Sequence, residues 1–256
     1  MVYDLAIVMP VYNEQACIIT VVESWVAVLS NLNIDFRYLI LNDGSTDGTK
    51  DALGVFNTDH RIEVIHKQNT GHGPSILLGY RKGVQIAEWV FQCDSDDEIK
   101  AVYFSKLWKK RKPYHALFGK RTGRTQTLSR KFISKCSRII TRLFYGVGVV
   151  DVNIPFRLIR SNILKQIICQ IPDDTFAPNV IISGVLSKMG AKIYEHQVPH
   201  EHRKTGKVSL SKLKLWRVTI KALWQTLSCR PVEAFMDEQT TGTSKRPIKN
   251  NPYGEL

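Results

Sequence analysis

Four acids fall within five residues at Asp94-Ser95-Asp96-Asp97-Glu98, directly after the apolar run Trp89 to Cys93. Carboxylates this close repel one another unless a cation sits among them. Hard oxygen donors at such spacing suit Mg²⁺ or Mn²⁺, held by one or two carboxylates with the other positions left to phosphates and water. The chemistry available to the cluster is therefore to hold a metal on a diphosphate. The competing reading is a solvated acidic turn that caps the next helix, since Asp and Glu favour helix N-termini.

Two more polar loops carry candidate residues: Pro10-Val11-Tyr12-Asn13-Glu14 and Asn42-Asp43-Gly44-Ser45-Thr46-Asp47-Gly48. They follow Leu5–Met9 and Phe36–Leu41, continuous apolar runs of the kind buried on both faces of a parallel sheet. In such a sheet the loops after the strands open on one edge, so all three can share one ligand. Their carboxylates can accept hydrogen bonds from a ribose or a base and can coordinate metal. Neither a Walker phosphate loop nor a G-x-G-x-x-G is present, which removes the main support for a kinase-like or dinucleotide reading. An acid-lined pocket that meets phosphates through a divalent ion fits a sugar nucleotide.

The elements that must position these loops follow from periodicity. Ile18–Leu29 reads as a helix covering the sheet, and a short helix starts at Thr49. Ile62–His66 is a third strand, and Pro74 suits the first turn of the helix after the loop Asn69–Gly73. Trp89–Cys93 is the fourth strand. Lys100–Arg111 reads as a helix, Tyr114–Gly119 as a strand, Phe176–Met189 as a helix closed by Gly190, and Lys192–Val198 as a strand. Alternating strands and helices predict an α/β, Rossmann-like, mostly parallel sheet with flanking helices. Residues 128–145 and 210–227 read as basic amphipathic helices. Residues 1–229 are expected to form one domain and residues 230–256 a polar, disordered tail.

Charge is unevenly placed along the 256 residues. Residues 1–99 hold 6 Lys+Arg against 14 Asp+Glu, or −8; residues 100–256 hold 30 against 9, or +21, which together give the net +13. A cation-binding part joined to an anion-binding part fits this asymmetry, with anionic lipid or a phosphorylated substrate facing the basic part. Trp216 and Trp224, interleaved with Lys and Arg, fit a helix lying on a membrane surface. No run approaches 18 apolar residues, so no membrane span is expected. Met1 leads straight into a strand-like run, so no secretory leader is expected. Five cysteines without a C-x-x-C pair predict a reducing, cytoplasmic setting, with Cys17 and Cys93 as core thiols. His196, His200 and His202 match no standard metal spacing and read as surface histidines.

The segments Val8–Glu14, Asn42–Thr49 and Asp94-Ser95-Asp96, in this order, resemble family 2 glycosyltransferases of the GT-A fold. Gly119-Lys120-Arg121, Arg130–Ser134, Asp151–Arg157 and Arg203–Ser209 resemble the dolichyl- or polyprenyl-phosphate sugar synthase branch. The resemblance covers roughly residues 4–228 and implies an inverting transfer from a nucleotide-sugar donor to a membrane polyprenyl phosphate. It implies that Pro10, Tyr12, Glu14, Asp43 and Asp94 line the donor site, with Asp43 near the base. Asp94 and Asp96 would hold the ion, Glu98 adding a further carboxylate. Arg121, Arg130, Ser134 and Arg203 would bind the acceptor phosphate, arginine meeting phosphate oxygens through its planar fork.

A phosphate acceptor is already ionised near neutral pH and needs no general base. A sugar hydroxyl acceptor would need one, with Asp97 first and Asp151 second. The chain departs from the branch at Ile154-Pro155, where relatives carry a small Ser-Gly pair. The rival readings are transfer to a sugar hydroxyl of a glycolipid or surface polysaccharide, and a basic membrane- or nucleic-acid-binding module. The intact Asp94/Asp96 pair argues against the module, and no nucleic-acid partner is expected.

Overall fold

The computed structural model describes residues 2–122 and 152–199. Seven strands form one sheet in the order β3-β2-β1-β4-β6-β5-β7. They are β1 (Tyr3–Val11), β2 (Phe36–Asp43), β3 (Ile62–Lys67), β4 (Ala87–Cys93), β5 (Ala116–Thr122), β6 (Phe156–Arg160) and β7 (Ile193–Pro199). The helices are α1 (Ile18–Asn31), α2 (Thr49–Leu53), α3 (His72–Ile86), α4 (Phe104–Lys110), α5 (Ser161–Ile168) and α6 (Pro178–Lys188). Among these strands β6 alone runs against the others, pairing antiparallel with both β4 and β5. The expected α/β, mostly parallel sheet is therefore what forms. Strand β6 and helix α5 were not anticipated from periodicity, and the stretch read as one helix from Lys100 is a 3₁₀ turn, Ala101–Tyr103, followed by α4.

Central strands are apolar on both faces because helices cover both. On one face Trp25 of α1 and Phe104 of α4 meet Phe91 and Phe156, with ring centroids 4.7–6.1 Å apart. On the other, α3 lies against β1, β2 and β4 at two glycines. A Cβ on Gly79 would stand 2.2 Å from Val8 Cγ1, and one on Gly83 would stand 3.2 Å from Ala6 and Val90. Val8 is fully buried and cannot move aside. Gly79→Ala is therefore expected to destabilise the protein by about 1–3 kcal/mol through overpacking, although alanine alone favours a helix by roughly 1 kcal/mol. Gly54→Ala meets nothing within 4 Å and is expected to be neutral or stabilising. Urea unfolding of the pair checks both signs.

The register fixes what reaches the functional edge. Val11 pairs with Asn42, and Val8 with Gln92, so the loops after β1, β2 and β4 leave the sheet together. Cys93 pairs with Phe156, the first residue of β6. Reversal of β6 thus brings Ile154-Pro155 to the same edge, beside Asp94. The end of β5 delivers Arg121 there as well. The positions Arg130, Ser134, Asp151, His200, His202 and Arg203, the two basic amphipathic helices and the 230–256 tail lie outside the described residues.

Candidate active site

Loops after β1 and β2 are stitched into one unit. Asn13 sits at φ 56°, a left-handed conformation that asparagine tolerates. Its backbone N–H donates to Ser45 Oγ at 3.0 Å, and its Oδ1 accepts from Thr46 N at 2.8 Å. Glu14 N donates to Thr49 Oγ1 at 2.9 Å, and Gly48 N to Gln15 Oε1 at 2.9 Å. Pro10 is a buried strand residue, Tyr12 stands 38 % exposed at the loop, and Glu14 is buried.

Asp43 ends β2 with its carboxylate engaged by protein donors. It accepts from Thr70 N and Gly71 N, each at 2.9 Å, and pairs with Lys67. These bonds hold the 69–71 segment, and hence the start of α3, to the same edge. From that start His72 Nε2 reaches Asp94 Oδ1 at 3.6 Å. Asp43 and Asp94 therefore flank one region, bridged by residues 70–72.

Asp94, Asp96 and Glu98 line a small open cleft with Cys93, Ile99, Arg121 and Pro155. Asp96 Oδ1 accepts from Glu98 N at 3.2 Å, which orders the turn. Asp97 turns away at φ 57° and pairs with Lys100. Burial pushes the Asp94 carboxyl well above the usual carboxylate range, and Asp96, Glu98 and Glu14 push it further, with Arg121 opposing them. Beside Glu14, the half-buried Cys17 donates its thiol to Glu14 Oε2 at 3.5 Å, while Cys93, at the end of β4, is buried.

Among the described residues no three His, Cys, Asp or Glu side chains are already gathered as a metal cage. The donor set nevertheless fits a hard divalent ion that takes most of its ligands from phosphate and water. The observation that carries this fit is geometric: Asp94, Asp96 and Glu98 line one cleft with Arg121 as the one cation among the described lining residues, and a bound cation would relieve the repulsion between them. The proton follows the same logic. The folded chain holds the Asp94 proton more tightly than the unfolded chain, so stability falls as pH rises from the ordinary carboxylate range through the raised value. Asp94→Asn is therefore expected to melt above the wild type at pH 7 without metal, with the gap closing below about pH 4. A lower melting temperature for the variant at pH 7 would contradict this.

A sequence model of glycosyl transferase family 2 matches residues 6–168. The chain belongs to that family. This family 2 glycosyltransferase is 25% identical over 230 residues to the undecaprenyl-phosphate 4-deoxy-4-formamido-L-arabinose transferase of Pectobacterium carotovorum subsp. carotovorum (strain PC1), across 88% of this chain and 67% of the relative. The enzyme of that name from Yersinia pestis (strain Pestoides F) is 22% identical over 229 residues, with the same coverage. Two solved structures share the fold. One is the glucosyl-3-phosphoglycerate synthase of Mycobacterium tuberculosis with Mn²⁺, UDP and phosphoglyceric acid, at TM-score 0.64 and 14% identity over 91% of this chain and 80% of that one. The other is the mannosyl-3-phosphoglycerate synthase of Rubrobacter xylanophilus, at TM-score 0.63 and 12% identity over 88% and 73%. The fold of this glycosyltransferase is GT-A.

The structure brings together Glu14, Asp94, Asp96, Glu98 and Arg121 of the predicted residues and pairs Asp97 with Lys100. His196 lies in β7 against Tyr194, away from the cleft. Sequence reasoning missed His72, Gln92, Tyr80 and Asn179 around Asp94. His72 was visible only as a loop residue; the other three carry no local signal.

Proposed function

We propose that this glycosyltransferase moves a sugar from a nucleoside-diphosphate donor to a polyprenyl phosphate at the cytoplasmic surface of a membrane, with inversion. The observation that carries the reading is one cleft lined by three carboxylates, Asp94, Asp96 and Glu98, together with the guanidinium of Arg121. Asp94 and Asp96, with Glu98, would hold Mg²⁺ or Mn²⁺, which when bound neutralises charge on the departing diphosphate. Pro10, Tyr12, Glu14 and Asp43 would border the nucleotide.

Arg121 supplies a planar fork suited to the acceptor phosphate, and Arg130, Ser134 and Arg203 are assigned to the same phosphate. An acceptor oxygen attacks the anomeric carbon as the bond to the donor diphosphate breaks. The diphosphate leaves with the electron pair. The acceptor is already anionic, so no side chain has to remove a proton, and Asp97 is free to pair with Lys100. The acceptor assignment is further supported by the undecaprenyl-phosphate named in the relatives and by the +21 charge of residues 100–256. No helix of the described residues is long and apolar enough to cross a membrane.

The test is a panel of nucleotide sugars with a polyprenyl-phosphate acceptor, scored for nucleotide release with and without Mn²⁺. Release that needs both acceptor and ion is expected. Release with sugar-hydroxyl acceptors alone would overturn the lipid-phosphate assignment.

A further inference from the structure

Behind Asp94 three polar side chains form a continuous chain through the interior. Tyr80 Oη of α3 donates to Asn179 Oδ1 of α6 at 3.1 Å. Asn179 Nδ2 donates to Gln92 Oε1 of β4 at 3.0 Å. Gln92 Nε2 donates to Asp94 Oδ1 at 3.0 Å. Tyr80 and Gln92 are fully buried and Asn179 is 3% exposed, so no bulk water competes for these bonds.

Polarity along this chain is dictated from its ends. Gln92 turns its NH₂ group toward Asp94 Oδ1, the orientation that a carboxylate holding a cation, which can only accept, would require. Gln92 Oε1 then needs a donor, and Asn179 provides it. Asn179 Oδ1 in turn needs one, and the Tyr80 hydroxyl, kept protonated by burial, provides it. Reversing either amide would set two acceptors face to face, which in a buried site costs the full penalty of an unmade bond.

The frame around the relay is rigid. Arg157 Nη1 donates to Asn179 O at 3.1 Å, and a Cβ on Gly73 of α3 would stand 2.3 Å from the carbonyl oxygens of Thr175 and Phe176, just before α6. Among the described residues, both Gln92 and His72 meet Asp94 through Oδ1.

We propose that Tyr80, Asn179 and Gln92 are positioning residues, a one-way hydrogen-bond relay that orients the Asp94 carboxylate for the divalent ion. This deepens the proposed function and rests on its reading of Asp94 as an ion ligand. Partners behind a metal-binding carboxylate are commonly worth 10–100-fold in affinity. A purely structural network would stabilise the fold without changing ion affinity.

The test titrates the full chain with Mn²⁺ in saturating UDP, following the free aqueous ion by electron paramagnetic resonance, with melting curves alongside. Tyr80→Phe removes the terminal donor, and Asn179→Asp replaces the donor facing Gln92 by an acceptor. Each is expected to weaken Mn²⁺ binding by about tenfold or more. Ser183→Ala is the control: Ser183 is as buried, lies one turn along α6, and bonds Arg157 and Val152 O rather than the relay. It is expected to bind Mn²⁺ as the wild type does. Should Asn179→Asp not fold, Tyr80→Phe decides. Wild-type affinity in Tyr80→Phe overturns the relay, as does an equal loss in Ser183→Ala. A wild type that takes up no Mn²⁺ with UDP overturns the underlying reading of Asp94 instead.

Discussion

Asp96→Ala is expected to lower turnover of sugar transfer by about 10²–10³-fold, the loss typical of removing one preorganised group that meets developing charge. Asp96 lines the cleft, and within the protein its Oδ1 accepts from Glu98 N. The backbone N–H of Glu98 can turn to water when that carboxylate is gone, so the fold should survive. One fewer negative charge also eases repulsion on Asp94. The melting temperature should hold or rise while turnover collapses. Steady-state nucleotide release with Mn²⁺, read beside a melting curve, checks the pair of outcomes. Asp97→Asn is the informative contrast. Its carboxylate already pairs with Lys100, and a phosphate acceptor needs no base, so turnover should change by only a fewfold. A drop of about 10²–10⁴-fold there would mark Asp97 as a general base and point to a hydroxyl acceptor.

Arg157→Met is expected to cost about 3 kcal/mol of stability, measured as a lower urea midpoint. Arg157 is fully buried beneath the site. Its Nε donates to Ile154 O, Nη1 to Asn179 O, and Nη2 to both Val152 O and Ser183 Oγ, at 3.0–3.1 Å. Its guanidinium also lies over the Phe118 ring, 4.6 Å from the centroid. Methionine keeps the stem and loses every donor. Val152 O would retain Ser183 Oγ as a donor, and Asn179 O lies in the first turn of α6, where a helical N–H can reach it. Ile154 O is the acceptor left bare. An unsatisfied buried acceptor costs about 1–3 kcal/mol, and lost packing adds to it. Against a total of about 5–15 kcal/mol for an ordinary domain, this is a large fraction. Arg157→Lys should recover little, because an ammonium cannot reproduce the fork. A loss below about 1 kcal/mol for Arg157→Met would mean that the network is not a structural pin.

This arginine also explains what periodicity did not show. Strand β6 reads Phe-Arg-Leu-Ile-Arg, and a charge at its second position hides it from any search for apolar runs. Strands β1 and β2 were legible from longer apolar runs, Leu5–Met9 and Tyr38–Leu41, that end in turn residues. The departure at Ile154-Pro155 is absorbed locally. Ile154 is fully buried against Gly119, where an added Cβ would meet its Cδ1 at 2.8 Å, and Pro155 borders the cleft. A small residue on β5 makes room for a large one before β6, a fit visible only once β5 and β6 are known to pair.

Site residues divide in the same way. Asp94, Asp96 and Glu98 were legible because the chain concentrates them at one strand end. Tyr80 and Asn179 are 99 residues apart, and Asn179 and Gln92 are 87 apart; only the packing of α3 and α6 on one sheet face brings them together. Asp43 was assigned to the donor site by resemblance, and its ties to Lys67, Thr70 and Gly71 came from the loop after β3. Those ties hold the start of α3 beside Asp94.

The most direct measurement is a crystal of the protein soaked with Mn²⁺ and UDP, with data collected to locate manganese by its anomalous signal. The peak is expected between Asp94, Asp96 and the UDP diphosphate, within about 2.0–2.3 Å of a carboxylate oxygen, in the cleft that Arg121 also lines. UDP seated at this edge with no manganese on either carboxylate, or manganese bound elsewhere on the molecule, would contradict the account.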